Sequence, residues 1–196
     1  MLDEAHATGL YGTRGGGCAE AEGISNRVEV QMSTLGKAVG AAGGCVAGSR
    51  SLIDFLVNRA RSFIFSTAPP PAIAAAAEAG VRLIQSTEGA ERRSRLWSNV
   101  GQIDALLSKL GQDFGGTGVN HAPRSPIRPV RLGRESRALA VAEALRGQGV
   151  FVPAIRYPTV ARGQARLRLT VSAEHTAADL RELDCALTAT LKEHDE

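Results

Sequence analysis

The alternation of apolar and polar positions places most of the elements before any chemistry is considered. Val28, Val30 and Met32 alternate with Glu29 and Gln31, the two-residue period of a half-buried strand. A segment of small residues from Gly36 to Gly44 follows, and Cys45 to Ala47 reads as a second short strand. Ser51 to Ala60 carries Leu52, Phe55 and Leu56 at helical spacing. Pro69-Pro70-Pro71 can only enter a helix or lie extended. The alanine-rich run behind it, Ala72 to Ala79, is a strong helix former. Helical character continues to about Leu110, with a break predicted around Gly80 or Gly89.

Gly9 to Gly17 reads as loop, and Gly111 to Ser125 as a polar linker with a turn at Gly115-Gly116. Beyond it, Ile127 to Leu132 predicts a strand and Glu135 to Arg146 a helix stopped by Gly147 and Gly149. Val150 to Ile155 and Ala165 to Val171 predict two more strands. In the last helix Thr176 is the cap, Asp179 sits in the first turn, and Leu180, Leu183, Leu187 and Leu191 share one face. Strands alternating with helices predict the α/β class, with a boundary between residues 85 and 125.

Composition narrows the function classes. With 43% apolar and 22% charged residues the chain has the make-up of a soluble globular protein. It has no apolar run long enough to span a bilayer, and its first residues are acidic and polar, so the expected location is cytoplasmic. A net charge of +3, evenly spread, with 4% aromatic residues argues against nucleic acid. Cys18, Cys45 and Cys185 are odd in number, with no CxxC pair or Cys/His ligand spacing. Neither a disulfide framework nor a metal site is expected, and each cysteine reads as a small buried hydrophobe.

Two motifs fail on context. Asp3-Glu4-Ala5-His6 spells a helicase box, but no phosphate-binding GxxxxGK[ST] loop precedes it. Nor do the glycines of Gly9 to Gly17 form GxGxxG after a strand. Lys37 stands out instead, because its neighbours from Gly36 to Gly44 carry no other charge. Two readings stay open on the residues alone. One is a desolvated, nucleophilic amine of the kind that forms Schiff bases. The other is a lysine whose stem crosses small residues while its head reaches water.

Four ordered blocks add a resemblance: DEAHATGLYGTRGGG, STLGKAVGAAGGCVAGS, NRARSFIFSTAPPP and AIRYPTVARGQARLRLTVSAEH. Together they resemble the α-oxoamine synthases, fold-type I enzymes that depend on pyridoxal 5'-phosphate (PLP). The resemblance implies an aspartate aminotransferase-like α/β fold, of which this chain holds the C-terminal part. Residues 1–85 would belong to the PLP-binding large domain, 86–125 to a connecting helix and linker, and 126–196 to a small C-terminal α/β domain.

It also implies roles. Asp3 would pair with the pyridine nitrogen, His6 would reach the phenolic oxygen, and Lys37 would bind the cofactor covalently. Thr34 would contact the phosphate, as would Ser66 and Thr67 across a dimer interface, and Arg156 would hold the substrate carboxylate. The implied reaction is a decarboxylating condensation of an amino acid with an acyl-CoA or acyl-carrier-protein thioester. Ala68-Pro69-Pro70-Pro71 and the AIRxPTV segment favour the branch that joins alanine to a pimeloyl thioester for biotin. Branches acting on glycine or serine share the frame. Tyr157 and Ala161 stand where that family has proline, beside Arg156. His121, His175 and His194 match no catalytic position. Because the family's chain is longer, the expectation is a truncated reading frame or half of a split enzyme, pairing with an N-terminal half or forming a homodimer.

Overall fold

Two short strands run parallel at the start of the chain, which the computed structural model describes over residues 1–111 and 124–194. Strand β1 (Leu2–Asp3) pairs with β2 (Val30–Thr34) in the register Leu2↔Gln31 and Asp3↔Met32. Strand β3 (Gly44–Gly48) returns antiparallel to β2, with Thr34 opposite Gly44. The loop between them is closed by Leu35 N–H donating to Gly43 O (2.9 Å) and Ala41 N–H donating to Leu35 O (2.8 Å). Its turns need φ of +73° at Gly40 and +104° at Gly43, which glycine adopts without steric cost.

The glycine-rich stretch after β1 is more ordered than a plain loop. It leads into helix α1 (Cys18–Ala21), and two carboxylates hold it. Glu20 accepts the N–H groups of Arg14 (2.9 Å) and Gly16 (2.6 Å) and the Thr13 hydroxyl (3.0 Å). These donors, the Arg14 amide foremost, keep its carboxyl below the ordinary range. Buried Arg93 donates to Ile84 O and Thr13 O, both at 2.7 Å, tying the stretch to the helices that follow.

Those helices are α2 (Arg50–Arg59), α3 (Arg61–Ile64), α4 (Pro71–Gln85) and α5 (Thr87–Lys109). Ser49 caps α2 by accepting Leu52 N–H, and Pro71 occupies the first turn of α4, where its missing N–H costs nothing. The predicted break falls three residues before Gly89. Gly80 and Gly89 both lie inside helices, and the chain breaks at Ser86, which is extended (φ −82°, ψ 171°). Its hydroxyl accepts Gly89 N–H at 3.2 Å, so a serine cap rather than glycine flexibility separates α4 from α5.

The chain divides into two compact units, Met1–Arg93 and Ser94–Glu196. In the second, β4 (Ile127–Gly133), β5 (Ala154–Ile155) and β6 (Ala165–Thr170) form an antiparallel sheet ordered β4-β6-β5. Val130 and Leu132 on β4, and Ala165, Leu167 and Leu169 on β6, alternate inward. Helices α6 (Glu135–Gly147) and α7 (Ala177–Glu193) add Val141, Leu145, Leu180, Leu187 and Leu191 to the core. Thr176 and Asp179 form a complete capping box on α7. The strand expected over Val150–Ile155 is shorter: Ala154 and Ile155 register with Leu167 and Arg166, and Pro153 O accepts Arg168 N–H at 2.9 Å.

The cysteine expectation needs correcting. Cys18 is half-buried, while Cys45 and Cys185 are exposed and all three are free thiols. Cys45 lies on β3, where every residue is exposed, and Cys185 lies off the inward leucine face of α7. The predicted 111–125 linker, apart from its ends, and His121 lie outside the described residues.

Candidate functional site

Parallel pairing sends the segment after β1 and the loop after β2 out of the same end of the sheet. Asp3 is registered with Met32, and Thr34 follows two residues later, so the pleat puts Asp3 and Thr34 on one face. Lys37 leaves that end three residues beyond Thr34. Asp3 is exposed; its Oδ1 accepts Ala5 N–H at 2.8 Å, and its Oδ2 has no hydrogen-bond partner among the described residues. His6 is exposed in the turn after β1.

Thr34 is half-buried and its hydroxyl is committed: it donates to Gly43 O (3.2 Å) and accepts Gly36 N–H (3.2 Å). One lone pair remains, so donation to an anion requires turning away from Gly43. Lys37 is exposed, which favours the reading in which its head reaches water. The residue this small-residue run buries is Val39, 6% exposed.

Ser66 and Thr67 lie exposed between α3 and α4, where the Ser66 hydroxyl donates to Phe63 O (3.3 Å). Among the described residues neither bonds to Asp3, His6, Thr34 or Lys37. Arg156 belongs to the second unit, exposed just after β5, and its guanidinium has no ion-pair partner among the described residues. Its carbonyl accepts Thr159 N–H at 2.9 Å, and nearby Arg162 stacks on Tyr157 at 4.4 Å from the ring centroid.

Other residues support the site without carrying its chemistry. Glu4 is 2% exposed and sits on the face of β1 opposite Asp3. Its N–H donates to Met32 O (2.7 Å), extending the β1–β2 ladder. Its carboxylate accepts Cys18 N–H (2.9 Å) and Ala19 N–H (2.8 Å), pinning the start of α1. Burial, then the Glu4 charge, pushes the Cys18 thiol above its ordinary pKa. Thr8 bonds Ser33 hydroxyl to hydroxyl at 2.6 Å; since Thr8 donates to Glu4 O (3.1 Å), Ser33 is the donor in that pair. The period-two alternation carried one residue past Asp3 was the signal for Glu4. No local signal announced the Thr8–Ser33 bond, which spans 25 residues.

Among the described residues no cluster of three His, Cys, Asp or Glu could hold a metal ion, and no helix is long and apolar enough to cross a membrane.

Comparison with known proteins follows the same outline. Residues 1–187 match the family described as aminotransferase class I and II. An 8-amino-7-oxononanoate synthase of Anaeromyxobacter dehalogenans (strain 2CP-1) is 50% identical over 190 residues, 97% of this chain and 46% of that protein. The enzyme of that name from Ralstonia pickettii is 42% identical over 96% of this chain and 45% of its own length. Among solved structures, a serine palmitoyltransferase with PLP superposes with a TM-score of 0.89 at 29% identity, covering 98% of this chain and 47% of that one. An 8-amino-7-oxononanoate synthase from Francisella tularensis gives 0.81 at 28% identity, covering 98% and 54%. The chain thus spans about half the length of the relatives it matches.

Proposed function

The chain belongs to the aminotransferase class I and II family, and from that premise we propose that it carries the lysine side of a PLP site in an 8-amino-7-oxononanoate synthase. That reaction condenses L-alanine with a pimeloyl thioester, with loss of carbon dioxide, in biotin biosynthesis. The observation that carries the reading is the convergence of Asp3, Thr34 and Lys37 at one end of the β1–β2 pair, in a chain 50% identical to such a synthase.

The donor set fits PLP in kind: a carboxylate oxygen without a partner, an exposed imidazole, an exposed amine, and a hydroxyl that can rotate to an anion. When bound, PLP supplies the electron sink that stabilises a carbanion. Asp3 would hold the proton on the ring nitrogen and His6 would orient the phenolic oxygen. Lys37 would hold the cofactor and would serve as the base for the α-proton of the amino acid. Thr34, Ser66 and Thr67 contact the phosphate. Arg156 offers a planar two-pronged cation to the substrate carboxylate.

In this reading residues 1–85, 86–125 and 126–196 are the large-domain part, the connecting segment and the small domain, and the protein works in the cytoplasm. A second chain, either another copy or an N-terminal half, completes the assembly. Phe55, Phe63 and Phe65, exposed 59%, 62% and 77%, supply apolar surface of the kind that marks an interface.

A second reading is another α-oxoamine synthase, of the glycine C-acetyltransferase, aminolevulinate synthase or serine palmitoyltransferase type. The TM-score of 0.89 to serine palmitoyltransferase against 0.81 to the oxononanoate synthase favours it. Identity of 50% against 29% weighs the other way, and substrate choice depends on side chains more than on backbone path.

The test is the visible absorbance of the purified chain after PLP addition and dialysis, with Lys37→Ala as control. A retained band that the variant loses supports the cofactor role, and turnover of alanine with pimeloyl-CoA over glycine or serine supports the substrate. No band, either alone or with the N-terminal segment of the Anaeromyxobacter relative added, would leave a non-catalytic remnant.

A further inference from the structure

We propose that Gly80, from the middle of α4, is a positioning residue for Lys37, gripping the lysine loop against Gly9 on its other side. This rests on the reading of Lys37 as the cofactor lysine, though the grip itself does not require it.

A glycine at the tenth position of a fifteen-residue helix works against helix stability, since alanine is the better helix former. The neighbouring sequence, Ala74 to Ala79, shows no shortage of alanine. The reason for glycine is distance. A Cβ at Gly80 would lie 2.1 Å from the Val39 carbonyl oxygen, 3.0 Å from its carbonyl carbon and 3.0 Å from its Cγ1. The oxygen is backbone, not the end of a flexible side chain, so the loop itself would have to move.

The opposite side is also too close for a side chain. A Cβ at Gly9 would meet the Ala38 Cβ at 2.8 Å. Ala38 and Val39 are thus held between the segment after β1 and helix α4, and Lys37 is the next residue back along the chain. Within this run Val39 is 6% exposed, while Gly36, Lys37, Ala38 and Gly40 are exposed. Val39 is the anchor, and its seating fixes where the Lys37 stem starts. The Leu35–Gly43 and Ala41–Leu35 bonds close the loop and Gly40 N–H donates to Lys37 O at 3.0 Å within it, while the contact with Gly80 seats it against α4.

Gly80→Ala tests this, with Gly147→Ala as control, because a Cβ at Gly147 meets nothing within 4 Å. Backbone amide exchange across residues 35–43 is read first. The expected result is at least tenfold faster exchange at Leu35 and Ala41 in Gly80→Ala, with helical circular dichroism retained and no change in Gly147→Ala. Acylation of Lys37, read by mass spectrometry against Lys192 in the second unit, should change its ratio in the same variant. Where Gly80→Ala proves insoluble, Val39→Ala removes the anchor without adding an atom and carries the same expectation. Unchanged exchange and an unchanged Lys37 ratio in a folded variant overturn the proposal. With PLP added, loss of the dialysis-resistant band in Gly80→Ala but not in Gly147→Ala supports the positioning role. Faster exchange with no band even in the unmodified chain would keep the grip and reject the cofactor reading.

Discussion

Replacing Glu4 by glutamine isolates what one buried carboxylate does for the candidate site. The carboxylate accepts Cys18 N–H at 2.9 Å and Ala19 N–H at 2.8 Å with 2% of the residue exposed, so water cannot substitute for it. Glutamine keeps the shape but has a single acceptor oxygen, so one amide faces an NH2 group instead. A buried donor left without a partner costs about 1–3 kcal/mol. Local opening at Cys18 and Ala19 should then speed their amide exchange roughly 5- to 150-fold. A second readout has its own sign. Burial, then the Glu4 charge and hydrogen bond, raise the Cys18 thiol pKa, and neutral glutamine removes the Glu4 contributions. The midpoint of the pH dependence of Cys18 alkylation should therefore move down in Glu4→Gln, with exposed Cys45 as the internal reference. If neither the exchange of these two amides nor the midpoint changes, Glu4 does not hold the segment and the reasoning is wrong.

Two further outcomes concern stability. Leu187 is fully buried in the second unit, and Leu187→Ala should cost about 2–5 kcal/mol in urea unfolding followed by Trp97 fluorescence; a loss under 1 kcal/mol would mean that this core is not packed as described. The Glu20 and Asp179 carboxyls both sit below their ordinary pKa, held chiefly by the Arg14 and Thr176 amides respectively. A depressed folded pKa gives stability that is present above the unfolded value and lost as pH falls through the folded one. The Glu20→Gln, Asp179→Asn double variant should therefore show a shallower loss of stability below about pH 4 than the parent, and an unchanged acid limb would count against both contacts.

What the sequence made legible was periodic or chemical. The leucine spacing of α7, its Thr176 cap and the proline entry to α4 each rest on a few neighbouring residues, and each is where those residues place it, whereas β2 begins two residues after the alternation from Val28 and is half-buried throughout. The break near Gly89 falls at Ser86, and its cause is the serine cap; both glycines sit inside helices where backbone passes close by. The β5 strand is shorter than Val150–Ile155 because pairing depends on a partner: β6 meets this segment at Ala154 and Ile155, with one further bond from Arg168 N–H to Pro153 O. Lys37 was conspicuous for its uncharged surroundings, yet small neighbours cannot bury a long side chain without something larger beside them.

The chemistry-bearing residues Asp3, His6, Thr34 and Lys37 sit where apolar packing is thinnest. Among the buried apolar residues, Ala7, Ala19 and Val39 are the ones that belong to the first unit, and each is small or β-branched. A glycine-rich segment has little side-chain volume to pack, so its order has to come from directional bonds. Glu4, Glu20, Arg93 and the Thr8–Ser33 pair supply these, with charged groups binding backbone atoms at 2.6–2.9 Å. Such bonds are directional, so they set backbone positions, and each with a charged partner contributes about 1.5–3 kcal/mol. The residues that set the site's geometry are nevertheless different ones from those that form the larger apolar core. Damage at Glu4 or Val39 should show as a displaced lysine in a folded protein, whereas damage at Leu187 should show as unfolding of a unit that carries none of those four residues.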